Sequence, residues 1–309
     1  MKKIGILLPC YNEEDNVIPI AEAILSLFDE KLRNYECNIV FIDNNSTDKT
    51  VDKLHVLCEK HSRVKAILNA KNFRWSSSWH GIINTPGDCV ICIPADFQVP
   101  VNTILSLVEK WENGAKIVCL IKDSSEEKKS MWLVRQLFYK ISEEFSEGDT
   151  LPNFTGALYD REFIDICKSI DDPLMYLSLR SFICSHGYNV EKVYYKQAKR
   201  RSGKSSNNFK SLCYIALLRF TESSNKIPFL ITISGIYFNI LSVLFAIGAI
   251  IFNLIKAKYI ISNFVLLCGV FCACSINMIC VGILGEYLMK INGRLQNRPV
   301  VIEKGRINL

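Results

Sequence analysis

Four short polar runs hold the side chains able to do chemistry in this chain of 309 residues. Pro9-Cys10-Tyr11-Asn12-Glu13 sets an aromatic ring, an amide and an acid at the end of an apolar run. Asp43-Asn44-Asn45-Ser46-Thr47-Asp48 ends a second apolar run, and Ala95-Asp96-Phe97-Gln98 ends a third. Arg200-Arg201-Ser202-Gly203-Lys204-Ser205 adds cations. Asp96 is the centre of the set. Cys89-Val90-Ile91-Cys92-Ile93 is too short for a helix and stops in an acid and an amide. That is how a buried parallel strand delivers a carboxylate to the C-terminal edge of a sheet, where ligands sit in open α/β folds. Asp43 can cap a turn or accept a hydrogen bond from a ligand. Arg200 and Lys204 can pair with phosphate, or form a solvated or lipid-facing basic run.

The elements that must position these residues follow in order. Lys3–Leu8 reads as a strand stopped by Pro9, with a helix over about Asn16–Phe28. Glu36–Ile42 is a second strand, and Ser46 or Thr47 can cap the helix at about Asp48–His61. Val64–Leu68 is a third strand, Ser76–Ile83 a short helix, and the strand ending at Asp96 follows. Four strands each followed by a helix predict a doubly wound parallel sheet. Pro100 opens a helix to about Trp111, and Ala115–Ile121 is a fifth strand. Glu126–Glu147 reads as a long amphipathic helix, either covering the domain or lying near a membrane surface. Leu151–Gly156 reads as a polar-aromatic loop, Arg161–Ser169 and Leu174–His186 as helices, and Tyr188–Tyr195 as a late strand. Lys199–Asn208 is a Ser/Gly/basic loop, and His80 and His186 read as structural. Neither GxGxxG nor a P-loop is present, so any nucleotide must be recognised by acids and amides at strand ends.

The composition changes after about residue 225. Ile227–Ile255 and Phe264–Gly285 contain no charged residue. Each exceeds the roughly 20 residues that cross a bilayer core of about 30 Å. Neither lies at the N-terminus, which excludes a cleaved signal peptide. The net charge of +6 is clustered on their flanks, with Lys192–Lys210 before the first segment and Lys290–Arg306 after the second. The positive-inside tendency puts both flanks in the cytoplasm and the connector at Lys256-Ala257-Lys258 outside. Basic clusters that flank membrane segments favour anionic lipid over nucleic acid. The chain therefore divides into an α/β domain at 1–209, a juxtamembrane amphipathic helix at 210–226, two transmembrane helices within 227–289 and a basic tail at 290–309. Asn239 and Asn277, inside the apolar segments, can join neighbouring subunits or bond a nearby backbone group. The thirteen cysteines are odd in number and scattered, which is no disulfide framework. Cys89 and Cys92 would point to opposite faces of one strand, as packing residues.

These runs, in this order, resemble family-2 glycosyltransferases, and the resemblance spans essentially the whole chain. Pro9-Cys10-Tyr11-Asn12-Glu13 resembles their P-x-Y-N-E, Ile42–Asp48 their V-D-D-G-S-T-D, and Asn72-Phe73 the N-F after the third strand. Ala95-Asp96-Phe97-Gln98 resembles the second half of D-A-D-L-Q, and Arg200–Ser205 resembles R-x-x-G-x-S. Gly285-Glu286-Tyr287 and Asn297-Arg298-Pro299 resemble the C-terminal G-E-Y and N-R-P of the polyprenyl-phosphate branch, which includes dolichol-phosphate mannose synthases and undecaprenyl-phosphate glucosyltransferases.

The resemblance implies a GT-A α/β fold with two C-terminal transmembrane helices, and inverting transfer of a hexose from a nucleotide sugar, UDP-glucose-like, to undecaprenyl phosphate. It implies a bacterial inner membrane location with the catalytic domain in the cytoplasm, and a role in cell-surface polysaccharide and O-antigen modification. Asp96 would hold Mg²⁺ or Mn²⁺ and act with Arg200 in catalysis. Pro9, Tyr11, Glu13, Asp43, Asn44, Ala95, Gln98 and Lys204 would bind the donor. Three acids of the family pattern are missing, because Pro94, Asn44 and Thr155 stand in their places. Ser206 replaces a family lysine, and Lys204 can substitute for it. Asp160 caps a helix or serves as the remaining acid. A lipid phosphate arrives already ionised, since its second pKa is about 6, and needs no general base. The departures leave open a degenerate binding or scaffold subunit, or a transferase with a different acceptor; a homo-oligomer is compatible with either.

Overall fold

The computed structural model describes residues 1–124, 151, 153–169, 179, 183, 187–198 and 301–309, with scattered helical positions between 240 and 291. It divides into two units, Met1–Leu212 with Asn297–Leu309, and Cys213–Gln296. The helices expected at 126–147 and 210–226, the basic loop at 199–208 and most of both apolar segments lie outside the described residues.

In the first unit the chain alternates β1 (Lys2–Cys10), α1 (Val17–Lys31), β2 (Tyr35–Asp43), α2 (Thr50–Lys60), β3 (Val64–Asn69), α3 (Trp75–Asn84), β4 (Cys89–Cys92) and α4 (Thr103–Glu112). It continues through β5 (Ile117–Ser124), β6 (Phe154–Asp160), α5 (Arg161–Ser169), β7 (Val190–Lys196) and β8 (Glu303–Ile307). The strands make one eight-stranded sheet in the order β7-β5-β6-β4-β1-β2-β3-β8. Strand periodicity divides its apolar side chains between two cores. Ile4, Ile6 and Leu8 pack with Ile20, Ile24 and Phe28 of α1, Leu54 of α2 and Leu107 of α4. Leu7, Val40 and Ile42 face the other way, onto Trp79 and Ile82 of α3 and Phe163 and Ile164 of α5. Cys89 lies in the first core, while Cys92 packs against the second, as strand alternation requires. Burial pushes the Cys92 thiol up to about 12, which suits a packing residue and not a thiolate.

The sheet is mixed, which corrects the parallel expectation. β4, β1, β2 and β3 are parallel, but β6 inserts antiparallel between β4 and β5, and β8 pairs antiparallel with β3. The segment expected as a loop at 151–156 supplies the start of β6. β4 stops at Cys92, four residues before Asp96. Ile93 still donates its N–H to Leu7 O at 3.1 Å, but Pro94 has no N–H to extend the ladder. Pro100 forms a turn, its carbonyl accepting the Thr103 hydroxyl at 2.7 Å, and α4 begins there.

β8 covers an edge that β3 would otherwise expose. The His80 ring nitrogen lies 2.6 Å from a Glu303 carboxylate oxygen. Arg306 holds both oxygens of Glu303 and donates to Asn84 Oδ1 at 2.9 Å. Asn308 donates to the carbonyls of Cys58 and Val64. The end of the basic tail is thus a strand of the sheet, and His80, expected to be structural, pairs with it.

In the second unit, Ile240, Leu244, Ile247 and Ile251 recur at helical spacing and are 56%, 60%, 48% and 51% exposed. Val281, Leu284, Leu288 and Ile291 form a similar stripe, 67%, 60%, 65% and 53% exposed. Among the described residues no helix is long and apolar enough to cross a membrane.

β6 comes so close to the end of β4 that a Cβ on Gly156 would overlap the Cys92 carbonyl oxygen. Gly156→Ala is therefore expected to cost roughly 1–3 kcal/mol through backbone displacement. The measurement is a denaturation midpoint in detergent; a midpoint equal to that of the unmodified chain would show that the two strands are not so closely apposed.

Candidate active site

The parallel register brings the first two polar runs together. Pro9 lies opposite Ile42 and Cys10 opposite Asp43, and the Asn44 N–H donates to Cys10 O at 3.0 Å. Beyond the strands the two loops are stitched side to side. The Asn12 N–H donates to Ser46 Oγ at 2.8 Å, and the Thr47 N–H returns to Asn12 Oδ1 at 2.8 Å. Asn12 and Asn45 adopt positive φ, 55° and 62°, a conformation asparagine tolerates. The Glu13 N–H donates to Thr50 Oγ1 at 2.9 Å and its carboxylate accepts the Asn16 amide, so Glu13 helps launch α1. Tyr11 is 40% exposed, leaving ring surface at the rim.

Asp43 is 1% exposed. Burial raises its carboxyl above the ordinary range, and bonds from the Ser46 hydroxyl and N–H oppose that shift. Those bonds use part of a carboxylate's about four acceptor positions. Ser46 is thus committed to Asp43 and does not cap α2. Asp48 does the capping work instead, its Oδ1 accepting the Thr50 N–H at 3.0 Å and the Thr50 hydroxyl at 2.6 Å.

Asn44 is an inward-facing hub. Its Oδ1 accepts from Asn69 Nδ2 at 3.1 Å and from the Phe73 N–H at 3.3 Å, and its Nδ2 donates to Arg74 O at 3.5 Å. Asn69 also donates to Ser77 Oγ at 2.8 Å. This amide network fixes the loop between β3 and α3, where Arg74 carries φ 53°. Sequence reading singled out Asn44 but missed Asn69 and Ser77. An asparagine ending an apolar strand was the signal for Asn69; Ser77 lay inside a plain helical run.

Asp96 lies four residues past the C-terminal end of β4, which pairs with β1, and so belongs to the edge of the sheet that carries Pro9 and Asp43. It is 4% exposed, and its Oδ1 accepts the Gln98 N–H at 3.1 Å across a turn with Phe97 at φ 60°. Asp96 shapes that turn and is no cap of α4, whose N-cap is Asn102. Ala95 is buried beside it. Gln98 O accepts the Ala198 N–H at 3.2 Å, so the chain leading to Arg200 passes this turn. Arg200 and Lys204 themselves lie outside the described residues.

The neighbouring wall is neutral. Tyr195 Oη donates to Thr155 Oγ1 at 2.9 Å, and Thr155 donates to Leu120 O at 3.2 Å. Burial raises the Tyr195 phenol, the Thr155 bond lowers it, and the charge of Asp96 raises it further. Tyr195 is thus within electrostatic reach of Asp96 and stays protonated at working pH. Asp160 is structural: it accepts the Trp111 indole N–H at 2.7 Å and the Glu162 N–H at 3.1 Å, which starts α5.

Among the described residues no three His, Cys, Asp or Glu side chains cluster as a metal cage. A hard cation bound through one carboxylate and substrate phosphates needs no such cage. A buried carboxylate past the end of β4, as Asp96 is, fits that mode.

Comparison with known proteins agrees with this geometry. Residues 5–165 match the family described as "Glycosyl transferase family 2". The chain is 29% identical to a bactoprenol glucosyl transferase of Shigella flexneri prophage SfII over 305 residues, 98% of this chain and 97% of the relative. It is 25% identical to the putative glycosyltransferase CsbB of Bacillus subtilis, over 96% of this chain and 89% of that one. Among solved structures, glucosyl-3-phosphoglycerate synthase from Mycobacterium tuberculosis, in complex with Mn²⁺, UDP and glucosyl-3-phosphoglycerate, aligns at TM-score 0.47 and 17% identity, covering 72% of this chain and 78% of that one. With a mixed α/β sheet of GT-A type and its acids at the C-terminal edge, the chain belongs to glycosyl transferase family 2 and is a glycosyltransferase.

Proposed function

We propose that this enzyme transfers glucose from a UDP-linked donor to a polyprenyl phosphate at the cytoplasmic face of a bacterial inner membrane, with inversion at the anomeric carbon. The observation that carries the reading is a buried carboxylate, Asp96, at the sheet edge shared by Pro9 and Asp43. Support for the lipid acceptor comes from relatives named bactoprenol glucosyl transferases that align over nearly the whole chain. The exposed apolar stripes of the second unit support a bilayer setting, because stripes of that kind are costly in water. So do the charge-free runs Ile227–Ile255 and Phe264–Gly285 with their basic flanks. The product would feed the decoration of cell-surface polysaccharide.

In this reading Tyr11 stacks on the base, and Asp43 accepts from its imide N–H. Pro9, Glu13 and Asn44 shape the nucleoside pocket, and Ala95 and Gln98 frame the diphosphate. Arg200 and Lys204 pair with phosphate oxygens. Mg²⁺ or Mn²⁺ at Asp96, once bound, supplies charge neutralisation of the departing diphosphate. An acceptor phosphate oxygen attacks the anomeric carbon as the bond to the diphosphate oxygen breaks, and the bonding pair leaves with the nucleotide. No proton has to be removed from an ionised phosphate. The protonated Tyr195–Thr155 pair therefore suits this acceptor better than a sugar hydroxyl, which needs a base.

Membranes containing the enzyme, given radiolabelled UDP-glucose, should form an acid-labile, lipid-extractable glucoside; label in no lipid from any nucleotide sugar would refute the transfer. By calorimetry in detergent, UDP binding should need Mn²⁺, and Asp96→Asn should weaken or abolish that Mn²⁺-dependent binding while lowering turnover on the order of 100-fold or more. Turnover at limiting acceptor should rise through about pH 6 with ionisation of the lipid phosphate and then level off. Thr155→Ala should keep that inflection, whereas its disappearance would make Thr155 part of a proton path.

A further inference from the structure

The Asn44–Asn69–Ser77 network forms the floor beside Asp43, and its outer side is built by β8, more than two hundred residues away in sequence. Asn69 lies opposite Glu303, after an irregularity in the pairing that skips Lys304. One residue on, the Ala70 N–H donates to Ile302 O at 2.9 Å. Glu303 then reaches α3, the helix that carries Ser77, through His80 at 2.6 Å. A carboxylate can only accept, so His80 Nε2 carries the proton of that bond. Arg306 fixes both Glu303 oxygens and reaches Asn84 at the far end of α3. Arg306 first, and His80 after it, hold the Glu303 carboxyl below the ordinary range, so the contact is a charged one.

The loop thus held has no regular ladder of its own between Ala70 and Arg74. It hangs on Ile302 O, on the Asn44 side chain, and on the Asn72 side chain that accepts the Arg74 N–H at 2.9 Å. Arg74 keeps its positive φ only while these contacts hold it.

We propose that Glu303 is a positioning residue for the donor pocket: β8, clamped to α3 through His80 and Arg306, sets the Asn69 amide and the 70–74 loop in the conformation that holds Asn44. The inference rests on the reading of this floor as part of the donor pocket. It makes the strand following the apolar unit an integral part of the site and not a trailing tail. Severing the clamp should loosen the loop without unfolding the sheet, because Trp79 and Ile82 of α3 and Ile307 of β8 are held to the cores by apolar packing that does not involve Glu303.

The test uses the full chain in detergent, with amide hydrogen exchange and UDP titration side by side. Glu303→Ala should speed exchange at Ala70, Phe73 and Arg74 while β1, β2 and β4 stay protected. It should weaken UDP binding about 10-fold, with KM for the donor rising more than kcat falls. Glu303→Gln, which can still accept from His80, should recover most of the affinity. His80→Leu, which has no donor, cuts the clamp from the other side; it should give the same faster exchange and weaker binding, and it stands in for the Ala variant should that one fold poorly. Unchanged exchange at 70–74, or faster exchange spread evenly over the sheet, overturns the proposal. Should the unmodified enzyme bind no UDP, the donor reading fails, and the exchange pattern alone decides the clamp.

Discussion

Two carboxylates taken almost wholly out of water at the open edge of a sheet dictate much of the surrounding structure. Asp43 and Asp96 are 1% and 4% exposed. A buried carboxylate is costly unless hydrogen-bonded. Asp43 meets that requirement through Ser46, whose N–H and hydroxyl both turn toward it. Ser46 Oγ in turn accepts from Asn12, which ties the first loop to the second. The loop geometry that carries Tyr11 and Glu13 is therefore set by the need to satisfy an acid on the next strand. Asp96 likewise accepts a backbone donor, the Gln98 N–H across a turn.

The sheet supplies the rigidity those loops lack. Its parallel half places four strand ends on one edge, and the two flanking strands run antiparallel for different reasons. β6 closes against the end of β4 at a glycine, bringing Thr155 close to the Asp96 turn. β8 covers β3, an edge strand with apolar Ala66 and Ile67 that would otherwise invite pairing with another chain.

Much of this was legible in the sequence, and the failures share a cause. β1 to β3 and the helices α1 to α3 followed from apolar periods of two and of 3.6 residues, which depend on neighbours alone. Asp43 and Asp96 stood out because each ends an apolar run. β6 was missed because Asn153, Thr155 and Gly156 read as loop residues; its strand character comes from partners on β4 and β5. Ile93, Pro94 and Ala95, between Cys92 and Asp96, were assigned to a strand because hydropathy does not register that Pro94 ends a ladder. β8 and the His80–Glu303 pair were invisible for a plainer reason, since the partners are 223 residues apart. The Asn44 hub was legible as polar but not as inward-facing, because its role depends on Asn69 and Phe73 arriving from β3.

Three of the four departures from the family pattern share a sign; the fourth, Ser206 in place of a lysine, is the exception. Pro94, Asn44 and Thr155 each stand where the resemblance leads one to expect an acid, and each is neutral. On the proposed reaction two polyanions, a sugar diphosphate and a lipid phosphate, must meet within one pocket. A unit charge at about 4 Å is worth roughly 4 kcal/mol at an effective dielectric of 20. A carboxylate missing at such a distance removes a repulsion of that order from the encounter, partly offset by the lost attraction for the cation. A hydroxyl acceptor would gain nothing from this, since it is uncharged and still needs a base. Asp96 then remains as the one acid of its motif, and one is enough where the ligand phosphates complete the coordination of the ion.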